Sequence, residues 1–400
     1  MVEISSDSFK KYINISSTYQ EQADDMYQFN RDKNRGASWV FQNLPGTINR
    51  RIHLDDILEH CCAKGADDIF ISSNLKVMAR VAGRNIQITD RKISVSELEN
   101  IIQIITKDPA SINVFTRGEN LWGAYAINEE EHGSKRLRYA IEGTVDGYDI
   151  SFRQLMDKPV KLSDLGLEQD VWSKIRTLND GFVIVSGATG SGKSTLITSM
   201  LRELAEDNDG NHNILTFEEP VEIRFDKLNF NTSRVKQSEI PFNLKTFDIA
   251  VKGAMRRSPT IIFVGEINDF ATLKASLAAA QTGHLVFATV HAKSVRNIFS
   301  RMLYLCPNDL RSSYLNDLIE STHVLVNQKL LKIKNELKRI PSREYCLFND
   351  KFRKSLSEVG DNIHKVSQNI GDHIDHSKST HKDCILNLKR KGIYVYDDVE

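Results

Sequence analysis

Eight consecutive residues, Gly187-Ala188-Thr189-Gly190-Ser191-Gly192-Lys193-Ser194, hold the densest chemical information in the chain. They fit the pattern GxxxxGK[ST], set after an apolar run (182–186) and before a helix expected over 195–204. Glycines at such positions let backbone N–H groups turn inward around phosphate oxygens, and the following helix N-terminus adds a favourable dipole. Lys193 would reach the β- and γ-phosphates of ATP, and the Ser194 hydroxyl would coordinate Mg²⁺. A chance glycine-rich turn would have to meet every position of this pattern and its strand–loop–helix context by accident.

A phosphate cradle needs an acid for the attacking water and the metal. The run Ile261-Ile262-Phe263-Val264-Gly265-Glu266 is an apolar strand ending in a carboxylate, so Glu266 is the expected residue to orient or deprotonate water. Glu218 and Glu219 end another strand, and one of them would assist Mg²⁺ or the water; a Glu-Glu pair before Pro220 is also an ordinary turn. Gln281-Thr282-Gly283-His284 leads into the run 285–290 and then His291, so two histidines bracket a buried strand. His291 would lie at the phosphate edge, and His284 would bond to neighbouring backbone or a neighbouring subunit. Hydrolysis of this class often uses a cation supplied across an interface. Arg138, Arg153 and Arg256 are the candidates, each weighed against an ordinary surface ion pair. His364, His373, His376, His381 and Cys384 match no standard zinc spacing, and their segment reads as solvated.

These residues require a parallel sheet to position them. Four short apolar runs (182–186, 214–217, 261–264 and 285–290) alternate with helical stretches, and each ends in small or polar residues. In an open parallel sheet, ligands sit at the carboxyl ends of the strands. Upstream, strands are expected over 68–72, 77–81 (with a turn at 82–85), 86–88, 122–127, 136–142 and 148–153. An amphipathic helix over 94–105 opens with a Ser94/Glu97 capping box. The resulting domain plan is a polar arm (1–44), a small α+β domain (45–153), a linker around Pro159 (154–163), an α/β nucleotide domain (164–349) and a polar tail (350–400).

Composition narrows the functional classes. Lys plus Arg and Asp plus Glu both number 53, so bulk charge gives no reason to expect direct nucleic-acid binding. No apolar run reaches the roughly 18 residues of a membrane helix, and the N-terminal residues carry no signal pattern. Five cysteines without a CxxC pair suit a reducing compartment.

With these motifs in view, the chain resembles the type II/type IV secretion ATPases. Residues 187–195 are similar to that family's Walker A, 217–222 to its Asp box, 264–266 to its Walker B and 282–291 to its His box, in the family's order. Gly65–Ser72 is similar to the opening strand of the family's PAS-like N-terminal domain, and 235–240 and 254–259 match further family stretches. The resemblance spans roughly residues 50–335 and is nearest the pilus-retraction motors and the Dot/Icm-type and conjugative-transfer ATPases. It implies a RecA-like P-loop core with a PAS-like N-terminal domain, and a homohexamer at the cytoplasmic face of an inner-membrane secretion or conjugation complex. It also implies Glu266 as the catalytic glutamate, Glu218 as its Asp-box helper (leaving Glu219 for Mg²⁺), and His284 and His291 as the His-box pair. On the same resemblance, Thr195 would close the phosphate loop, and Arg138 and Arg153 would reach the phosphates. The chain departs from the family at Asn268 and Gln281, where Arg and Glu are common, and lacks the four-cysteine zinc element of the extension motors. The expected reaction is Mg²⁺-dependent ATP hydrolysis; the rivals are a plasmid-handling nucleic-acid motor and a nucleotide-binding scaffold without turnover.

Overall fold

The structure, a computed structural model, describes residues 39–81, 84–128, 135–156, 158–334 and 339–396. Most of the expected arm (1–38), half of the 82–85 turn and the last four residues lie outside this set. The chain divides at positions 157–158 into two compact units.

The N-terminal unit contains α1 (Arg51–Ala63), β1 (Asp68–Ser72), β2 (Met78–Val81), β3 (Arg84–Gln87), α2 (Val95–Thr106), β4 (Leu121–Ala126), β5 (Arg136–Thr144) and β6 (Gly147–Gln154). Its strands form one antiparallel sheet in the order β3-β2-β1-β6-β5-β4. The expected capping box is present: the Ser94 side chain accepts from Glu97 N, and the Glu97 carboxylate accepts from Ser94 N. That start places Leu98, Ile101, Ile102 and Ile105 on one buried stripe against the sheet. The arm ends earlier than expected. Trp39 is buried, His60 Nε2 donates to its carbonyl at 3.0 Å, and Phe41 N donates to Ile88 O at 2.7 Å. Aromatic residues at 39 and 41 bury area that a solvated arm would leave in water.

The second unit runs α3 (Leu162–Leu165), α4 (Gln169–Ile175), β7 (Gly181–Ser186), α5 (Lys193–Glu206), β8 (Asn213–Glu218), β9 (Arg234–Glu239), α6 (Phe247–Ala254) and β10 (Ile261–Val264). It continues with α7 (Phe270–Gln281), β11 (Leu285–Val290), α8 (Ile298–Leu303), α9 (Arg311–Ser321), β12 (Thr322–Lys332), β13 (Arg339–Leu347), α10 (Asp350–Ser357), α11 (Ile363–His376) and α12 (His381–Arg390). The strand order is β13-β12-β7-β11-β10-β8-β9. Every neighbouring pair is parallel except the edge pair β12–β13. Strands β7, β10 and β11 are buried along their whole length, as a parallel sheet covered on both faces requires. On one face Val183, Val185, Phe263 and Phe287 pack with Leu196, Ile197, Met200 and Leu201 of α5. On the other, Ile184, Ile262, Val264 and Ala288 pack with α6, α7 and α8.

Two expected boundaries differ. The linker is shorter than 154–163, because β6 runs to Gln154 and the Pro159 carbonyl already accepts from Arg202 of α5 at 2.7 Å. Residues 350–390 are helical instead of a polar tail. Phe352, Leu356, Val366, Ile370 and Ile374 enter the same apolar cluster as β10 and α8, and Ile385 and Leu388 pack with Leu331 and Ile340. One apolar residue per turn, repeated at i, i+4, suffices because each falls on the same face, and Asn349, Asn362 and Thr380 cap the three helices.

Candidate nucleotide site

The strand polarity brings Lys193, Glu266, Glu219 and His291 to one end of the sheet. β7 ends at Ser186, and α5 begins with Lys193 after the intervening glycine loop. Gly187 has φ +147°, and a Cβ there would stand 2.4 Å from the Gln328 carbonyl oxygen. Only glycine lets the loop leave the strand this close to β12. Lys193 is buried, and its Nζ donates to Gly187 O at 3.0 Å and Ala188 O at 3.1 Å. Burial pulls its ammonium below the ordinary lysine value, while Glu266 and Glu222 hold it up. A buried ammonium encircled by its own loop carbonyls fits a phosphate group, because anionic oxygens would replace weak carbonyl acceptors with charge-assisted ones. Ser194 and Thr195 follow in the first turn of α5, which Lys193 opens.

Glu266 is set by a clamp on both sides of it. Gly265 N donates to Phe217 O at 2.7 Å on β8, and Ile267 N donates to Thr289 O at 3.0 Å on β11. The Thr289 hydroxyl also donates to Gly265 O. A Cβ at Gly265 would lie 3.0 Å from Phe217 O, so a side chain there would push β10 off β8. The clamped carboxylate lies 3.6 Å from His291 Nε2. Its charge also raises the neighbouring Glu219, behind the larger effect of desolvation.

Glu218 and Glu219 have different environments. Glu218 is fully buried, and its Oε1 accepts from Thr216 Oγ1 at 2.7 Å and Gln237 Nε2 at 3.1 Å. Burial lifts its acid to about 7 against those two hydrogen bonds, so it holds a proton part of the time at neutral pH. Glu219 is exposed beside Glu266 and suits a metal better than its neighbour does.

The remaining expected residues do not join this cluster within the chain. His284 stands at the opposite end of β11, with Nδ1 at 3.1 Å from Ala279 O, roughly 20 Å of strand away from His291. Arg256 is exposed in the turn between α6 and the amino end of β10, away from the phosphate loop of its own chain. The reason is strand direction: a residue preceding a parallel strand emerges opposite the residue that follows it. Arg138 and Arg153 are cross-strand partners on β5 and β6 of the N-terminal unit, and Arg153 Nε donates to Asp68 Oδ1 at 2.7 Å.

Sequence reasoning passed over Gln328. It is buried on β12, donates from Nε2 to Ser191 O at 2.7 Å, and accepts from Arg343 Nε at 2.8 Å. The signal was present as Asn327-Gln328, two adjacent amides inside an apolar strand, where buried polar groups must find partners.

A phosphate loop after β7, an acid after the neighbouring but one strand β10, and a mixed sheet covered on both faces define a P-loop nucleotide fold of the RecA-like kind, accompanied by a smaller α+β N-terminal unit. The chain belongs to the type II/IV secretion system protein family, whose model matches residues 45–388 and so includes all but the end of α12. It is 30% identical over 279 residues to the type IV pilus retractation ATPase PilT of Pseudomonas aeruginosa, covering 70% of this chain and 78% of that protein. It is 24% identical over 347 residues to the type IV pilus ATPase PilU of the same organism, with 87% of each covered. Among solved structures, the ATPase DotB of Legionella pneumophila superposes with a TM-score of 0.77 at 30% identity, covering 89% of this chain and 96% of that one. The retraction motor PilT with bound ADP superposes at 0.74 and 23% identity, which supports the fold.

Proposed function

We propose that this chain is a Mg²⁺-dependent ATPase that powers a type IV secretion or pilus apparatus. The observation that carries the reading is the buried Lys193, held inside a glycine loop with the clamped Glu266 facing the same end of the sheet. Residues 187–195 would hold the phosphates, with Lys193 on the terminal ones. Ser194 and Glu219 would hold Mg²⁺, which when bound neutralises phosphate charge. Glu266 orients and accepts a proton from the attacking water, and His291, 3.6 Å away, keeps its carboxylate turned toward the loop. Glu218 acts through packing and hydrogen bonding beneath the site. The family's description as a type II/IV secretion system protein and the pilus-retraction role in the name of one relative support a motor working as a homohexamer at the cytoplasmic face of an inner membrane, with Arg138 and Arg153 as candidate cations for the phosphates. Among the described residues no helix is long and apolar enough to cross a membrane. A conjugative-transfer apparatus is the specific system we favour.

Phosphate-release kinetics on the wild type and Glu266→Gln, beside ADP titrations of both, test this. Turnover that vanishes in the variant while ADP binding persists supports the ATPase. Equal, negligible rates in both with intact binding would leave a nucleotide-dependent scaffold. Turnover that rises only with added DNA would favour a nucleic-acid motor.

A further inference from the structure

The C-terminal helix α12 is tied to the end of β7, where the phosphate loop begins, by an unbroken line of buried hydrogen bonds. His381, its first residue, is 5% exposed, and Asn327 of β12 is fully buried. His381 Nε2 lies 2.8 Å from Asn327 Oδ1, and His381 Nδ1 lies 2.9 Å from Ser342 Oγ. Asn327 Nδ2 then donates to Ser186 Oγ at 2.9 Å and to Ala292 O at 3.0 Å. Ser186 is the last residue of β7, immediately before the loop, and Ala292 immediately follows His291. The Ser186 hydroxyl is engaged with Val326 O, 3.2 Å away.

Donor and acceptor roles along this line are fixed. Asn327 must point its NH₂ at the Ala292 carbonyl, so its oxygen faces His381, and the imidazole must present Nε2–H. The Ser342 hydroxyl then donates to Nδ1. Without His381, nothing on that side decides the amide's orientation, and a flipped amide would set oxygen against the Ala292 carbonyl.

We propose that His381 is a positioning residue for the nucleotide site: through Asn327 it fixes the end of the phosphate-loop strand and the segment after His291, coupling the docking of α12 to nucleotide affinity. The proposal rests on nucleotide binding at residues 187–195. Ile385 and Leu388 anchor α12 on Leu331 and Ile340 independently of the histidine, so a substitution at 381 leaves the helix a core to pack on.

The test uses the full chain with a fluorescent ADP analogue and Mg²⁺. Loss of one neutral buried hydrogen bond predicts about five- to tenfold weaker binding in His381→Leu. His381→Gln can donate to Asn327 Oδ1 and should bind within about twofold of wild type, a rescue that general loosening would not produce. Asn327→Ala should weaken binding at least as much, and adding His381→Leu to it should weaken binding no further. Hydrogen exchange on the wild type is the second readout: residues 381–390 should slow when ADP saturates the site. Wild-type affinity in a folded His381→Leu overturns the proposal. If that variant does not fold, exchange of 381–390 that ignores ADP overturns it. A wild type that binds no nucleotide overturns the functional reading above and this proposal with it.

Discussion

The two ends of the parallel strands in the nucleotide unit are built from similar residue types and hold different chemistry. At the carboxyl ends, Lys193, Glu219, Glu266 and His291 converge, and each is charged or titratable with its neighbours close. At the amino ends, Arg256, His284 and His323 are separate. His284 caps the turn after α7, and burial together with Arg353 keeps His323 below its ordinary value beside Asp180. The difference teaches that strand direction sorts function here. Residues that follow a strand meet at the phosphate loop, and residues that precede one serve the turns.

The largest expected effect falls at the carboxyl ends. Lys193→Ala should weaken nucleotide binding by at least about 100-fold with α5 retained, since the charged donor to phosphate is lost; calorimetry beside circular dichroism checks both halves. Glu266→Gln should cut turnover by on the order of 10²–10³ while ADP affinity changes little, measured by phosphate release.

Glu218 sharpens the comparison in pH. Its folded value stands near 7 against an ordinary 4.5, so between those values the native state holds a proton that the unfolded chain has released. Stability therefore falls as pH rises from about 4.5 to 7, and the cost is complete above 7. Glu218→Gln keeps an acceptor for Thr216 and Gln237 without the charge. It should match the wild type near pH 4 and gain on the order of 2–3 kcal/mol at pH 8, read from denaturant melts at both values. A gain that shrinks with rising pH would contradict a buried, proton-holding acid.

The smallest effects belong to the amino ends. Arg256→Ala should leave ADP affinity within about twofold, and His284→Ala should cost about 1 kcal/mol of stability with affinity unchanged. A large affinity loss at either would break the division between the two ends.

The site's strands were legible because a fully covered parallel sheet needs continuous apolar runs, and all four expected runs agree with β7, β8, β10 and β11 to within a residue at either end. The loop and Glu266 followed from where those runs stop. The C-terminal helices were not legible by the same criterion. Val366, Ile370 and Ile374 are sparse in sequence, and they look like a core only once the helix gathers them on one face. Their family membership was also hidden, since the motifs end near β12 while the family model runs to 388. Glu218 and Glu219 could not be told apart by type. The end of β8 separates them: Glu218 is the strand's last, buried residue, and Glu219 lies just beyond it, exposed.

A structure of the chain with Mg²⁺ and a non-hydrolysable ATP analogue tests the central claim most directly. The account predicts that Lys193 Nζ leaves the Gly187 and Ala188 carbonyls for the β- and γ-phosphate oxygens, with the Glu266 carboxylate on the terminal phosphate's side. A nucleotide bound elsewhere, with Lys193 still on its two carbonyls, would contradict it.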